Sequence, residues 1–192
     1  WVKKGKVWAQ TMLGQTYRDG THGVKKDIKR AAVLFNLASE QGDAAAQYDL
    51  GIMYEYGRGV DKDEKRAVEF FTLAADQGHV NAQYNLGCMY RDGKGVDKDE
   101  KRAVELFTLG ADQSRANAQH NLGCMFANGQ GINQSFTQAR EWFTKAALQG
   151  YNAAINSLKQ LDEEEGRTTT LSSTVNSNTT FCSYCNKPEP TN

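Results

Sequence analysis

The sequence predicts an all-α protein: a right-handed α-α superhelix (solenoid) of about four two-helix repeats, followed by a disordered C-terminal tail. The first observation is a segment that recurs with its leucine at Leu13, Leu50, Leu86 and Leu122, at separations of 37, 36 and 36 residues. The second is helical spacing of the apolar residues inside each copy. The third is that both prolines lie in the last five residues, beyond any predicted helix. Such a period is typical of solenoids, whose units bury their apolar faces by stacking.

The first helix of each repeat carries its apolar residues on one face. In the third copy Ala82, Leu86 and Met89 stand at i, i+4 and i+7. A glycine interrupts the helix in every copy, at Gly14, Gly51, Gly87 and Gly123. Because glycine costs about 1 kcal/mol inside a helix, we expect a neighbouring helix to approach closely at this position.

A glycine-spaced turn and a capped second helix complete the unit. The segment Asp92-Gly-Lys-Gly-Val96 supplies two residues that adopt positive φ readily. Side chains that can cap the second helix recur at one repeat position: Asp27, Asp63, Asp99 and Ser135. The core stripe of that helix is predicted at Ala103, Leu106-Phe107 and Gly110-Ala111.

The period also sets the domain boundaries. We predict a repeat domain over residues 1–165, with repeats at about 6–42, 43–78, 79–114 and 115–150 and partial end units at 1–5 and 151–165. Trp1 to Gly5 aligns with the close of a repeat, so we expect the array to begin upstream. Residues 166–181 have little apolar surface and are predicted as a flexible linker before a Cys-x-x-Cys segment at 182–192.

The unit resembles the SEL-one-like repeat, a relative of the tetratricopeptide repeat. The resemblance rests on Ala-x-x-x-Leu-Gly-x-x-Tyr, Gly-x-Gly-Val, Asp-x-x-x-Ala and Phe-x-x-Ala-Ala-x-x-Gly, over about residues 6 to 165. It implies an α-solenoid that holds partner proteins together as a scaffold or adaptor. Three positions depart from the pattern: Gly110 and Ser114 replace Ala and Gly, and Lys145 replaces a leucine.

Charge and motifs narrow the function classes. Lys and Arg total 23, as do Asp and Glu, so nucleic-acid binding is not predicted. No apolar run approaches the roughly 18 to 20 residues that a membrane span needs. The nucleophile-elbow, zinc-protease and phosphate-loop motifs are all missing from the sequence. We therefore predict a protein or peptide partner, no enzymatic activity and no cofactor for the repeat domain.

The partner surface is predicted on the first helices, opposite the core stripe. Residues there change from copy to copy, and stacking would align them into a ribbon along the inner surface. The candidate contact residues are Tyr48, Ile52, Glu55, Tyr84, Cys88, Arg91, His120 and Cys124. The competing interpretation is that the two tyrosines only pack against neighbouring helices.

Two of these residues allow other chemistry. His120 and Cys124, at i and i+4, could form a thiolate–imidazolium pair or half of a metal site, but no third ligand recurs nearby. Cys88 occupies the place of Cys124 one repeat earlier. Helices about 8 to 10 Å apart are too distant for a disulfide between these two cysteines, so we expect free thiols. Free thiols favour a reducing compartment, and cytoplasmic localisation is predicted.

The tail carries a separate hypothesis. Cys182 and Cys185 have the spacing of a zinc knuckle. The segment resembles the start of a MYND-type or RING-type zinc finger, which implies Zn at these two cysteines, with further ligands beyond Asn192. The alternatives are a redox pair and an incidental tail. If a complete finger follows, the repeats would serve as a spacer arm for it.

Overall fold

The computed structural model describes the backbone of residues 6–170 and the side chains of residues 6–163. This part of the chain forms nine α-helices and no strand, which confirms the all-α prediction. The helices are α1 (Val7–Asp19), α2 (Ile28–Ser39), α3 (Ala44–Tyr56), α4 (Glu64–Asp76), α5 (Val80–Asp92), α6 (Glu100–Asp112), α7 (Ala116–Asn128), α8 (Phe136–Ala147) and α9 (Asn152–Thr170).

The helices belong to two compact units. The first unit is Trp1–Asp99 and contains α1 to α5, and the second is Glu100–Asn192 and contains α6 to α9. Inside each unit every helix packs against the next one in the chain. Odd-numbered helices are the first helices of the repeats and are called A helices below, and even-numbered helices are called B helices.

A buried phenylalanine recurs in the B helix of all four repeats. These rings are at most 2% exposed: Phe35, Phe71, Phe107 and Phe143. In the second repeat the ring lies directly on the mid-helix glycine of the A helix, because a Cβ added to Gly51 would lie 2.5 Å from Cδ1 and Cε1 of Phe71. The predicted close approach is confirmed. The group that fills the space is an aromatic ring.

The glycine-spaced turn has two separate reasons for its glycines. Gly57 ends α3 in the left-handed conformation, with φ of 66°. Gly59 also has positive φ, and a Cβ added there would lie 2.6 Å from Cγ2 of Ile28, at the start of the preceding B helix. The second glycine is therefore required both by its backbone angle and by the space available between consecutive repeats.

The predicted caps of the B helices are confirmed at three positions. Asp27 accepts a hydrogen bond from the amide of Arg30, Asp63 from those of Lys65 and Arg66, and Ser135 from that of Gln138. Two A helices carry caps that we did not predict. Asp43 accepts from the amide of Ala46, and Nδ1 of His79 accepts from that of Ala82.

The glutamine that follows the first core alanine of the A helix, such as Gln47 after Ala46, joins consecutive helices. Sequence reasoning missed it. Gln47 is buried, donates to the carbonyl of Ser39 in the preceding repeat, and accepts a 2.6 Å hydrogen bond from Gln77. Gln119 repeats both contacts in the second unit, with the carbonyl of Ala111 and with Gln149. The available signal was a glutamine in the same place in the first four A helices: Gln10, Gln47, Gln83 and Gln119.

The last helix is longer than the partial end unit predicted at 151–165. α9 continues to Thr170 and so includes residues 166–170, which we predicted as the beginning of the linker. Extending an existing helix adds a hydrogen bond per residue without a new nucleation step. Residues 171–181 of the predicted linker and the segment 182–192 lie outside the described residues.

We expect Gly51→Ala to destabilise the first unit. The new methyl group would overlap the buried Phe71 ring, and overpacking of this kind costs about 1 to 3 kcal/mol. Urea unfolding of the variant measures the loss. The double variant Gly51→Ala/Phe71→Leu is the control, since a smaller side chain should restore part of the stability. Equal stability of wild type and Gly51→Ala would contradict the contact.

Ser114→Gly is expected to stabilise the protein by about 1 kcal/mol. Ser114 has φ of +61°, whereas the equivalent residues are glycines, such as Gly78 with φ of +81°. The left-handed conformation costs a residue with a side chain roughly 1 to 2 kcal/mol. Denaturant unfolding checks the gain, and Gly78→Ser is the reverse control, with a loss of similar size. A destabilised Ser114→Gly variant would show that the serine side chain contributes more than the strain costs.

Candidate functional site

The structure places six of the predicted contact residues on α3 and α5 of the first unit. All six are partly buried, so each keeps some accessible surface: Tyr48, Ile52, Glu55, Tyr84, Cys88 and Arg91. The two from the second unit, on α7, are different. His120 is 5% exposed and Cys124 is 2% exposed. The accessible part of the predicted row therefore lies on the first unit.

Tyr48 has a packing role in addition to its exposed surface. Its ring stacks on His79, with centroids 4.7 Å apart and planes 24° apart, and tilts against Phe71 at 5.9 Å. His79 is the N-cap residue that precedes α5. The competing interpretation, that this tyrosine packs against neighbouring helices, therefore accounts for its contacts with Phe71 and His79. Removal of the ring would disturb the junction between the second and third repeats.

His120 occupies the equivalent place in the second unit. Its ring lies 5.3 Å from Phe143 and 5.4 Å from Tyr151, and Nε2 is 3.1 Å from the Ser157 hydroxyl oxygen. The Cys124 sulfur is 3.7 Å from the same nitrogen. Tyr48 with His79 and His120 with Tyr151 are therefore the same pair of positions with the two residue types exchanged. Within the described ranges no cluster of three or more His, Cys, Asp or Glu side chains could hold a metal ion.

The expectation of free thiols holds at one of the two described cysteines. Cys88 is free. Burial raises the pKa of its thiol to about 11, against the charge of Arg91 and a hydrogen bond with Tyr84, which favour the thiolate. Cys124 is disulfide-bonded, so the expectation is wrong there. Cytoplasmic localisation stays a prediction. Cys182 and Cys185, the predicted Zn ligands, lie outside the described residues.

The end of each A helix in the first unit carries a pair of neighbouring residues before the turn. In the first and third repeats this pair is an arginine and an aspartate that bind each other: Nε of Arg18 lies 2.8 Å from Asp19, and Nε of Arg91 lies 2.7 Å from Asp92. Arg18 also binds the buried Asp49 of the next repeat at 2.6 Å. Both arginines are thus neutralised within the chain.

The second repeat breaks this pattern with Glu55 and Tyr56. Burial raises the pKa of the Glu55 carboxyl, although nearby lysines favour its charged form. Tyr56 remains 49% exposed. The negative charge of Glu55 also contributes to the raised pKa of the Cys88 thiol on α5. Sequence reasoning missed Tyr56, and the signal that could have found it is the change from Arg-Asp to Glu-Tyr at a fixed repeat position.

A family model for the Sel1 repeat matches four segments of the chain, at residues 9–43, 44–79, 80–114 and 116–151. The chain belongs to the Sel1 repeat family. The matched segments agree with the four predicted repeats to within three residues at each boundary. Sel1 repeat proteins are generally protein-interaction scaffolds and are typically non-catalytic. None of the helices in residues 6–170 combines the length and the apolar character that a membrane span requires.

Three solved structures show the same architecture. A protective antigen of uropathogenic Escherichia coli strains, which displays an SLR fold, is 39% identical, with a TM-score of 0.79, over 82% of this chain and 33% of its own. A Sel1 repeat protein from Oxalobacter formigenes is 30% identical, with a TM-score of 0.76, over 81% of this chain and 63% of its own. Helicobacter pylori cysteine rich protein B is 23% identical to this chain, with a TM-score of 0.54. The match covers 68% of this chain and 94% of that protein, and it shows the fold alone.

The chain spans about a third of the length of the Escherichia coli protein and less than two thirds of the Oxalobacter formigenes protein. No curated protein matches the chain at a significant level. The fold and the family are therefore established, and the partner has to be inferred from the surface of this chain.

The Cys88 thiol is expected to react slowly with alkylating reagents. With a pKa of about 11, its thiolate fraction at pH 8 is on the order of a hundredfold below that of an unfolded cysteine, whose pKa is about 8.5. Labelling with iodoacetamide, followed by mass spectrometry of the Cys88 peptide, measures the rate, and the same peptide labelled in urea is the control. Native and unfolded rates within tenfold of each other would contradict the assignment.

Proposed function

We propose that the chain is a non-catalytic protein-interaction scaffold whose first unit holds a segment of a partner protein against the accessible side of α3 and α5. The observation that carries this proposal is the contrast between the two sides of these helices. The apolar core positions are the same in both helices, whereas two of the three accessible positions differ.

The apolar core positions of α3 and α5 carry identical residue types. Alanine, leucine and methionine occupy three core positions in both helices and are 0 to 2% exposed: Ala46, Leu50 and Met53 in α3, and Ala82, Leu86 and Met89 in α5. The accessible side replaces Ile52 by Cys88 and Glu55 by Arg91 at equivalent positions. Packing accounts for the constant positions, and it leaves the variable ones available for recognition.

The chemistry of the accessible side suits a peptide. Tyrosine rings and Ile52 offer apolar contact area, and Glu55 and Arg91 place charges at the turn end of the same helices. Protein interfaces are enriched in aromatic residues and arginine, with polar groups at the rim. A segment that crosses α3 and α5 would meet apolar side chains first and charged ones near the turns.

Photo-crosslinking tests this surface. A benzoylphenylalanine at position 52 is expected to form adducts with a protein in an extract of the native host, whereas the same residue at the exposed position 69 of α4 should form none. Ile52→Asp should weaken capture of that protein about tenfold or more, which corresponds to about 1.4 kcal/mol.

Two results would count against the scaffold proposal. Adducts of equal yield from positions 52 and 69 would show that the surface is not selective. Unchanged capture by Ile52→Asp, with urea unfolding confirming that the variant is folded, would place the partner elsewhere. Because Tyr48 contacts Phe71 and His79, a Tyr48→Ala variant reports on folding as well as on binding and is a poorer probe.

A further inference from the structure

The side of α7 that corresponds to the accessible side of α3 and α5 is buried. Every residue from 118 to 127 is buried. Cys124 is 2% exposed, whereas its equivalents Ile52 and Cys88 are only partly buried. Ala127, one turn further along, is 1% exposed. The surface that is open on the first unit is therefore covered on this helix of the second unit.

The beginning of α9 covers one end of this side through His120. The His120 ring lies 5.4 Å from the Tyr151 ring, and its Nε2 is 3.1 Å from the Ser157 hydroxyl oxygen. Cys124 lies one turn further along α7, and its sulfur is held in a disulfide bond. The contacts at Cys124 therefore include a second cysteine.

The cysteines of the chain leave two residues for the other half of this bond. The sequence has four cysteines, and Cys88 is free. We propose that Cys124 is bonded to Cys182 or Cys185, and that the bond holds the C-terminal segment 171–192 against the accessible side of α7. A cysteine in a disulfide cannot act as a thiolate ligand, so this assignment competes with the zinc site predicted for the same two residues.

The chain is long enough to make this connection. His120 lies opposite Ser157, 37 residues later, so Cys124 is level with a point about nine residues before Thr170, the end of α9. These residues span about 14 Å along the helix, and packed helices lie about 8 to 10 Å apart. Residues 171–181 reach roughly 40 Å when extended, which exceeds the distance required.

The absence of charge suits the segment to this side of α7. No Asp, Glu, Lys or Arg occurs from residue 171 to residue 186. Apolar and aromatic residues recur along this stretch: Leu171, Val175, Phe181 and Tyr184. On α7 the uncharged Ala127 stands where α3 has Glu55 and α5 has Arg91. An uncharged segment can therefore be buried at this position without removing a charge from water.

Formation of the bond requires an oxidant, and a small-molecule disulfide such as oxidised glutathione supplies it. The thiolate of one cysteine attacks a sulfur of the oxidant and releases one glutathione. The thiolate of the other cysteine then attacks the protein sulfur of the mixed disulfide and releases the second glutathione. Two electrons and two protons pass from the cysteines to the oxidant. Nε2 of His120 lies 3.7 Å from the Cys124 sulfur, where the imidazole can take up the thiol proton.

Peptide mapping of the full chain tests the bond. After incubation with oxidised glutathione and alkylation with iodoacetamide, trypsin should release a disulfide-linked pair of peptides, residues 116–140 and 168–192, from monomeric protein. Cys124→Ser should abolish the pair. The matched control Cys88→Ser should leave it unchanged, and urea unfolding in the presence of reductant checks that both variants are folded.

Chymotrypsin tests whether the bond also holds the segment against α7. Cleavage after Phe181 should be about tenfold or more slower in the oxidised wild type than in Cys124→Ser, because a covered segment is cleaved only when it detaches. Reductant should remove the difference between the two proteins. Equal cleavage rates in the oxidised wild type and in Cys124→Ser would show that the bond leaves the side of α7 uncovered.

Two peptide maps would overturn the bond itself. One is a bond between Cys182 and Cys185 with alkylated Cys124. The other is the predicted peptide pair found only in disulfide-linked dimers, which would join two copies of the chain. Neither result bears on the scaffold proposal, because that proposal concerns α3 and α5 and is tested by crosslinking from position 52.

Discussion

The contact between a mid-helix glycine and a phenylalanine ring holds the first, second and fourth helical hairpins together. The Phe71 ring lies where the Cβ of residue 51 would be, and the rings of Phe35 and Phe143 lie in the same way on Gly14 and Gly123. Glycine is a poor helix former, so its place in the middle of α1, α3 and α7 is compensated by burial of a whole aromatic side chain. The distance between the two helices of a repeat, and hence the place of the turn, follows from this contact.

Polar groups then fix how one repeat follows another. Gln47 satisfies the carbonyl of Ser39 at the end of the preceding B helix and receives the amide of Gln77 from its own repeat. A buried amide that lost either partner would cost about 1 to 3 kcal/mol, so the pairing favours a single stacking arrangement. Gly59 acts in the same direction by admitting the start of the preceding B helix at Ile28. Burial of apolar side chains drives the repeats to stack, and these polar and steric contacts fix how one repeat is aligned on the next.

A repeat protein can change its surface only where these contacts are absent. At the turn end of the A helices, Arg18 with Asp19 and Arg91 with Asp92 neutralise each other. Glu55 and Tyr56 replace such a pair without altering α3, since the cap at Gly57 and the core at Leu50 and Met53 are kept. Recognition chemistry could therefore arise in one repeat at little cost to the fold.

The class of fold, the four-repeat period and the caps of three B helices were predictable from the sequence, because period, glycine spacing and cap residues are local features that recur. The sequence also predicted the close approach at Gly51. It could not show that Phe71 fills that space, that Gln47 joins two repeats, or that His120 is buried whereas Tyr48 keeps exposed surface. These points depend on tertiary packing, because the residues that bury or pair with one another lie between 8 and 37 positions apart, and equivalent positions in a repeat do not have equivalent neighbours.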